Sequence, residues 1–258
     1  MKKTILLIAL LLIGSVSLVS GEEQWNERRT RHFYIYYKDV PNDFLQGVEE
    51  SAERYYDDIT RNLGFTRYKG WSFDERAQIY IYRDRQDFIS SGGAKWAGGA
   101  ASAYSKTIRT FPAAAGFFDS TLPHELGHII FREFIGNYVD VPLWFEEGIA
   151  SFQEQAKRWG AHREVKEAIA NGTFIPLPEL SHVKLTQGVS QQMVSLFYAE
   201  SASIVYYLIT EQGQHRFVEF CRKLKSLNSF ERALTSAYSR FDSLEDLNRS
   251  WKSYLEMQ

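Results

Sequence analysis

The stretch His124-Glu125-Leu126-Gly127-His128 places two histidines four residues apart, with a glutamate between them. On a helix, side chains with this spacing lie on one face, about 6 Å apart along the axis. Two imidazoles so arranged can bind one metal ion, and the intervening carboxylate is placed to act on water at that ion. The stretch therefore predicts a helix that carries two ligands of a metal site.

A hydrolytic zinc site needs a third protein ligand and an open position. A carboxylate from a following helix is one solution. The next predicted helix contains Trp144-Phe145-Glu146-Glu147-Gly148-Ile149-Ala150, and eighteen residues separate His128 from Glu147. Residues 144–150 are therefore the candidate source of the third ligand.

The two motifs and their spacing resemble the gluzincin zinc metallopeptidases, in particular the peptidase MA-like domain and the related aminopeptidase-N-type catalytic domains. In these families the third ligand is the Glu directly before Gly in W-x-x-E-G-x-A, which implies Glu147. Glu146 points about 100° away on a helix, which disfavours it. The family pattern has a further Glu seven residues on. This match implies that Glu154 orients a ligand imidazole, and the alternative is a solvated surface residue.

The resemblance also implies the reaction, a zinc-dependent hydrolysis of peptide bonds in which Glu125 is the general base. Related enzymes use a tyrosine from the later helical region to stabilise the oxyanion. Tyr198 is the candidate for this role, and core packing is the alternative. The expected partner is a peptide or protein substrate. A zinc-binding scaffold without turnover is the competing hypothesis, although such a module would have no use for Glu125.

The sequence differs from the aminopeptidase-N-type enzymes in one stretch that bears on the kind of peptidase. Aminopeptidase-N-type enzymes carry a G-x-M-E-N stretch whose Glu binds the free N-terminus of the substrate. The comparable stretch here is Gly98-Gly99-Ala100-Ala101-Ser102, which has no carboxylate. This difference favours an endopeptidase over a strict aminopeptidase.

The periodicity and the resemblance predict an α+β fold of the gluzincin, thermolysin-like type. Residues 22–258 are expected to form a single peptidase MA-like domain. A small mixed-sheet lobe with one helix, 22–118, precedes a zinc-binding two-helix core and a C-terminal helical lobe within 119–258. Alternating apolar residues predict strands at 31–38 and 77–82.

Residues 91–116 are rich in Gly, Ala and Ser and allow two interpretations. One is a flexible loop. The other is a hairpin with strands at 101–104 and 107–111, whose small residues allow close approach of another backbone at the edge of a substrate cleft.

Helical periodicity and capping residues predict the remaining helices. The metal helix is placed at 120–135, with Ser120 or Thr121 as its N-cap. Pro176 and Pro178 indicate a loop. The other predicted helices are 41–64, 142–158, 163–170, 190–210, 217–227, 230–238 and 244–255.

The N-terminus has the pattern of a signal peptide. Lys2 and Lys3 precede the apolar run 5–13, and Ser20-Gly21 offers small residues for cleavage before Glu22. Export to the periplasm, the cell surface or the medium is expected, and an uncleaved membrane anchor is the alternative. The net charge is −2, and the basic residues do not cluster into a stripe, so nucleic acid is not an expected partner.

Overall fold

A mixed β-sheet forms the N-terminal part of the protein. The computed structural model describes residues 25–65, 71, 75–94, 99–186 and 188–258, so the predicted signal peptide 1–21 lies outside the described residues. The strands are β1 (Asn26–Arg29), β2 (Phe33–Tyr37), β3 (Ala77–Ile81), β4 (Gly99–Ser102) and β5 (Thr107–Thr110). Within the described part of the chain they form one sheet in the order β1-β2-β3-β5-β4, with parallel pairs in the middle and antiparallel pairs at both edges.

The two central strands follow the predicted alternation. Ile35 of β2 lies opposite Ile79 of β3, and both side chains are fully buried on one face of the sheet. Tyr36 and Tyr80 are opposite each other on the other face and stack with ring centroids 4.9 Å apart. Because successive side chains on a strand alternate between faces, this pattern fixes which face covers the core.

Strand β1 was not predicted from the sequence. Its residues are Asn26-Glu27-Arg28-Arg29, which contain no apolar side chain and therefore no alternation to detect. It forms because its backbone pairs with β2 at the edge of the sheet, where polar side chains are tolerated.

The hairpin interpretation of the Gly- and Ala-rich segment is correct, although residues 95–98 are outside the described residues. Strands β4 and β5 pair antiparallel, and β4 has a partner on one side only within the described sheet. A Cβ atom added at Gly99 would lie 3.0 Å from the Arg109 carbonyl oxygen and 3.1 Å from Thr121 Cγ2. Strand β4 therefore runs close to the start of the metal helix.

Helices make up most of the chain after the sheet, so the predicted α+β class is confirmed. Among the described residues the helices are α1 (Asn42–Asn62), α2 (Arg85–Ser90), α3 (Leu122–Ile135), α4 (Leu143–Gln153), α5 (Gln155–Asn171), α6 (Leu177–Leu180), α7 (Gln191–Tyr206), α8 (Gln214–Leu227), α9 (Phe230–Ala237) and α10 (Leu244–Met257). Short π-helical segments, Phe117–Thr121 and Tyr207–Glu211, precede α3 and follow α7.

One hydrophobic core extends from the sheet through the helices and includes residues from Phe33 to Leu255. Helix α4 lies inside it, packed between α3 and α7. The segment Gln191–Glu211 is long and apolar enough to cross a membrane by composition alone, but 67% of its apolar window is buried within the protein. Burial of this kind is typical of a core helix.

Three details of the predicted secondary structure are wrong. The helix expected at 142–158 ends at Gln153, because Glu154 has an extended backbone (φ −78°, ψ 112°), and α5 begins directly after it. Thr121 has helical backbone angles and no side-chain cap, because a π-helical turn leads straight into α3. The loop expected around Pro176 contains the short helix α6.

Candidate metal centre

The three predicted ligands come together where α3 packs against α4. His124 Nε2 lies 3.2 Å from His128 Nε2 and 3.5 Å from Glu147 Oε2, and His128 Nε2 lies 3.8 Å from Glu147 Oε2. Donors of a tetrahedral zinc ion with bond lengths of about 2.0–2.1 Å lie roughly 3.3 Å from one another. The three donor atoms are thus spaced as the ligands of one zinc ion would be.

The chemistry of the donor set also fits zinc. Glu147 Oε2 is buried and has no hydrogen-bond partner among the described residues. An unpaired buried carboxylate oxygen is costly, and a cation would compensate it. Two imidazole nitrogens with one carboxylate oxygen suit zinc, whereas calcium and magnesium prefer oxygen ligands alone.

Two glycines of the motifs allow the helices to approach closely enough to form the site. A Cβ atom added at Gly127 would lie 3.0 Å from Ala150 Cα, so α3 and α4 are almost in backbone contact. A Cβ atom at Gly148 would lie 2.3 Å from the Ser201 carbonyl oxygen, which no side chain could tolerate. These contacts place α4 firmly between α3 and α7.

The carboxylate of Glu154 holds the ring of His124. Glu154 Oε1 lies 2.8 Å from His124 Nδ1, and the residue is only 3% exposed. The Ser120 hydroxyl donates to its other oxygen, and Lys157 Nζ lies 2.7 Å from Oε1. The imidazole is therefore oriented with Nε2 toward the ligand cluster, which is the arrangement expected around a metal-bound histidine.

A second carboxylate, that of Glu146, lies on the Nδ1 side of the His128 ring. Glu146 Oε1 is 3.8 Å from His128 Nδ1, and the same oxygen accepts a hydrogen bond of 2.6 Å from Arg132 Nε. Arg132 also donates to the Val139 carbonyl oxygen, which ties the loop after α3 to the site. Glu146 thus points away from the ligand cluster, as its position on the helix predicts.

The charges around the site favour a cation between the carboxylates. Burial opposes protonation of His124, but the neighbouring carboxylates of Glu147 and Glu154 outweigh burial and raise its pKa to about 9. Burial and the charge on His124 lower the pKa of His128. The site therefore stabilises one positive charge strongly and resists a second proton.

The two predicted catalytic residues also lie at this cluster. Burial raises the pKa of Glu125, and Glu147 and Glu154 act in the same direction although His124 opposes them. The Tyr198 ring centroid lies 6.4 Å from that of His124. Burial and the Glu147 charge raise the pKa of Tyr198 to about 12, so its hydroxyl stays protonated at neutral pH.

Comparison with known proteins identifies the family. A family model described as the peptidase MA superfamily matches residues 64–257, a range that contains all residues of the site. The chain belongs to the peptidase MA superfamily. No curated protein matches the chain in sequence.

A solved structure, that of native yeast LTA4 hydrolase, shares the fold with a TM-score of 0.52 and 13% sequence identity. The similarity covers 89% of this chain and 38% of that protein, so this chain spans well under half of its length. The predicted relationship to the peptidase MA-like family is confirmed. Membership of the peptidase MA superfamily supports a zinc metallopeptidase-type function.

Sequence reasoning did not single out three side chains that support this peptidase MA-type site. Ser120 is one of the two predicted N-cap residues, but its hydroxyl donates to Glu154. Lys157 lies three residues after Glu154, and this i,i+3 spacing was a usable signal. Arg132 had no comparable signal, because its partner Glu146 lies on a different helix.

Proposed function

We propose that the protein is an exported zinc-dependent endopeptidase. The observation that supports this proposal best is that donor atoms of His124, His128 and Glu147 lie 3.2–3.8 Å from one another. The Glu147 oxygen among them is buried and has no hydrogen-bond partner among the described residues. The proposal includes export, because residues 1–21 have the charge and apolar pattern of a cleaved signal peptide.

The mechanism follows from the positions of the side chains. When bound, zinc supplies Lewis acidity that acidifies water and polarises a peptide carbonyl. Glu125, next to ligand His124, takes the proton of the attacking water and passes it to the leaving amine. Tyr198 keeps its proton and donates a hydrogen bond to the oxygen that becomes negative. Glu154 holds His124 in the orientation that this chemistry needs.

The substrate backbone is expected to bind along β4. This strand is at the edge of the sheet, pairs on one side only within the described residues and lies beside the start of α3. An extended peptide can add to such an edge through backbone hydrogen bonds. Residues 98–102 carry no carboxylate to bind a free amine, which supports cleavage inside a chain.

Substitution of the general base tests the enzyme hypothesis. Glu125→Gln should retain the zinc content of the wild type and lose activity on unfolded casein by about 10²- to 10⁴-fold, because only the proton acceptor is removed. Zinc content is measured by atomic emission, and hydrolysis by release of casein fragments. Glu50→Gln, the same change on the exposed face of α1, is the matched control and should retain wild-type activity.

The rates at which peptides with free and with acetylated N-termini are cleaved test whether the enzyme is an endopeptidase. Equal rates are expected, because residues 98–102 carry no carboxylate that could bind the amine. Activity restricted to free N-termini would show an aminopeptidase instead. Equal zinc binding with no hydrolysis by wild type or variant would favour the zinc-binding scaffold.

A further inference from the structure

Lys157 contacts two parts of the metal centre that come from different helices. It lies in the first turn of α5, and its Nζ atom is 2.7 Å from Glu154 Oε1 and 4.9 Å from the centroid of the Tyr198 ring. Glu154 also holds His124, and Tyr198 lies on α7. One ammonium group therefore contacts both the carboxylate that orients a predicted ligand and the tyrosine predicted to stabilise the oxyanion.

The carboxylate of Glu154 fixes the position of the Lys157 ammonium group. The Glu154 side chain is 4% exposed, whereas that of Lys157 is 41% exposed. The Ser120 hydroxyl donates to one carboxylate oxygen, and His124 Nδ1 lies 2.8 Å from the other. Because the carboxylate is held in this way at the start of α5, it keeps the lysine side chain on the protein surface beside α7.

The distance from Lys157 to the Tyr198 ring is that of a cation–π contact. A cation within about 6 Å of a ring centroid is attracted to the face of the ring, most strongly where water is partly excluded. Tyr198 is half-buried, and its ring centroid also lies 6.4 Å from that of His124. A phenol has one proton to donate, so a tyrosine that donates it to a substrate must be positioned through its ring.

We propose that Lys157 is a positioning residue, which is anchored on Glu154 and holds the Tyr198 ring so that its hydroxyl points at the oxygen that becomes negative during hydrolysis. This inference rests on the proposed peptidase function. Glu154 thus positions two groups, His124 directly and Tyr198 through Lys157. Loss of Lys157 slows the chemical step and leaves peptide binding unchanged, because the negative oxygen develops only in the transition state.

Replacement of Lys157 by methionine, which has a similar length and no charge, tests this role. In Lys157→Met, kcat for a peptide that the wild type cleaves should fall about tenfold and KM should stay within about twofold, because a misplaced donor loses part of its effect. Lys157→Arg keeps the charge and should retain most of the wild-type kcat. Lys166→Met, the same change at an exposed position of α5, is the matched control.

A double-mutant cycle shows whether Lys157 acts through Tyr198. Tyr198→Phe keeps the ring and removes the hydroxyl. If Lys157 positions this hydroxyl, Lys157→Met should cause no further loss of kcat in the Tyr198→Phe protein. An equal loss of kcat in both backgrounds would overturn the proposal, and so would a wild-type kcat in Lys157→Met.

Zinc affinity is a measurement that does not depend on turnover. Competition with a chromophoric chelator should give Lys157→Met an affinity within about threefold of wild type, because Ser120 and His124 still bind Glu154. A loss of about 10- to 100-fold would overturn the proposal, because it would show that Lys157 acts on the metal ligands. No hydrolysis by zinc-loaded wild type would overturn both this inference and the peptidase function.

Discussion

Glu154 shows how a single residue determines the geometry of this site. It lies at the junction of α4 and α5, where its extended backbone turns its carboxylate toward α3. Because Glu154 Oε1 lies 2.8 Å from His124 Nδ1, the ring is held in one orientation. A carboxylate in this position also increases the basicity of the ligand imidazole.

We expect Glu154→Gln to lower the zinc affinity by about 10- to 100-fold, because the neutral amide no longer provides a charged hydrogen bond to His124. Competition with a chromophoric zinc chelator measures the affinity. Glu146→Gln is the matched control, and a smaller loss is expected because Glu146 Oε1 is 3.8 Å from His128 Nδ1 and is already bound to Arg132. Equal losses in the two variants would contradict a special role for Glu154.

At the scale of the elements, α7 carries a buried carboxyl group within the helical core. Glu200 is fully buried, its Oε1 accepts a hydrogen bond of 2.9 Å from the Ile175 amide, and its Oε2 has no partner among the described residues. Burial raises the pKa of Glu200 to about 8, although the Ile175 amide opposes the shift. The folded protein therefore holds a proton at neutral pH that the unfolded chain releases.

This proton makes the stability of the protein depend on pH. Because the pKa of Glu200 is higher in the folded state, the free energy of unfolding should fall as the pH rises from about 4.5 to about 8. Glu200→Gln removes this contribution, so it should be more stable than wild type by several kcal/mol at the upper end and similar at the lower end. Urea unfolding with excess chelator measures the difference.

The control for this prediction is Glu219→Gln, which makes the same change at a position of α8 whose side chain is 45% exposed. Its curve of stability against pH should run parallel to that of wild type. A parallel curve for Glu200→Gln as well would show that the carboxyl group is ionised in the folded state.

At the scale of the whole molecule, the sheet and the helices share one core, and the predicted metal ligands lie on two helices, α3 and α4, that pack within it. The single cysteine, Cys221, is fully buried in that core. With one cysteine, the chain cannot form an internal disulfide, so packing must stabilise it. This is compatible with export, which remains a prediction from residues 1–21.

Mass spectrometry of the protein recovered from an exporting host tests that prediction. The mature chain should begin at Glu22, and Leu10→Arg should prevent export because a charge interrupts the apolar run. Leu10→Ile, which keeps the run apolar, is the control. A membrane-bound protein that retains residues 1–21 would show an anchor in place of a cleaved signal.

The two-histidine helix, the source of the third ligand and the α+β class could all be predicted from the sequence. They depend on spacings within one element or on the family motif, which do not require knowledge of the packing. The side chains that hold the predicted ligands in place could be found only from the packing, because their contacts join distant positions, such as Ser120 and Glu154, which are 34 residues apart. Strand β1 also depends on its pairing with β2, because its residues have no apolar pattern to detect.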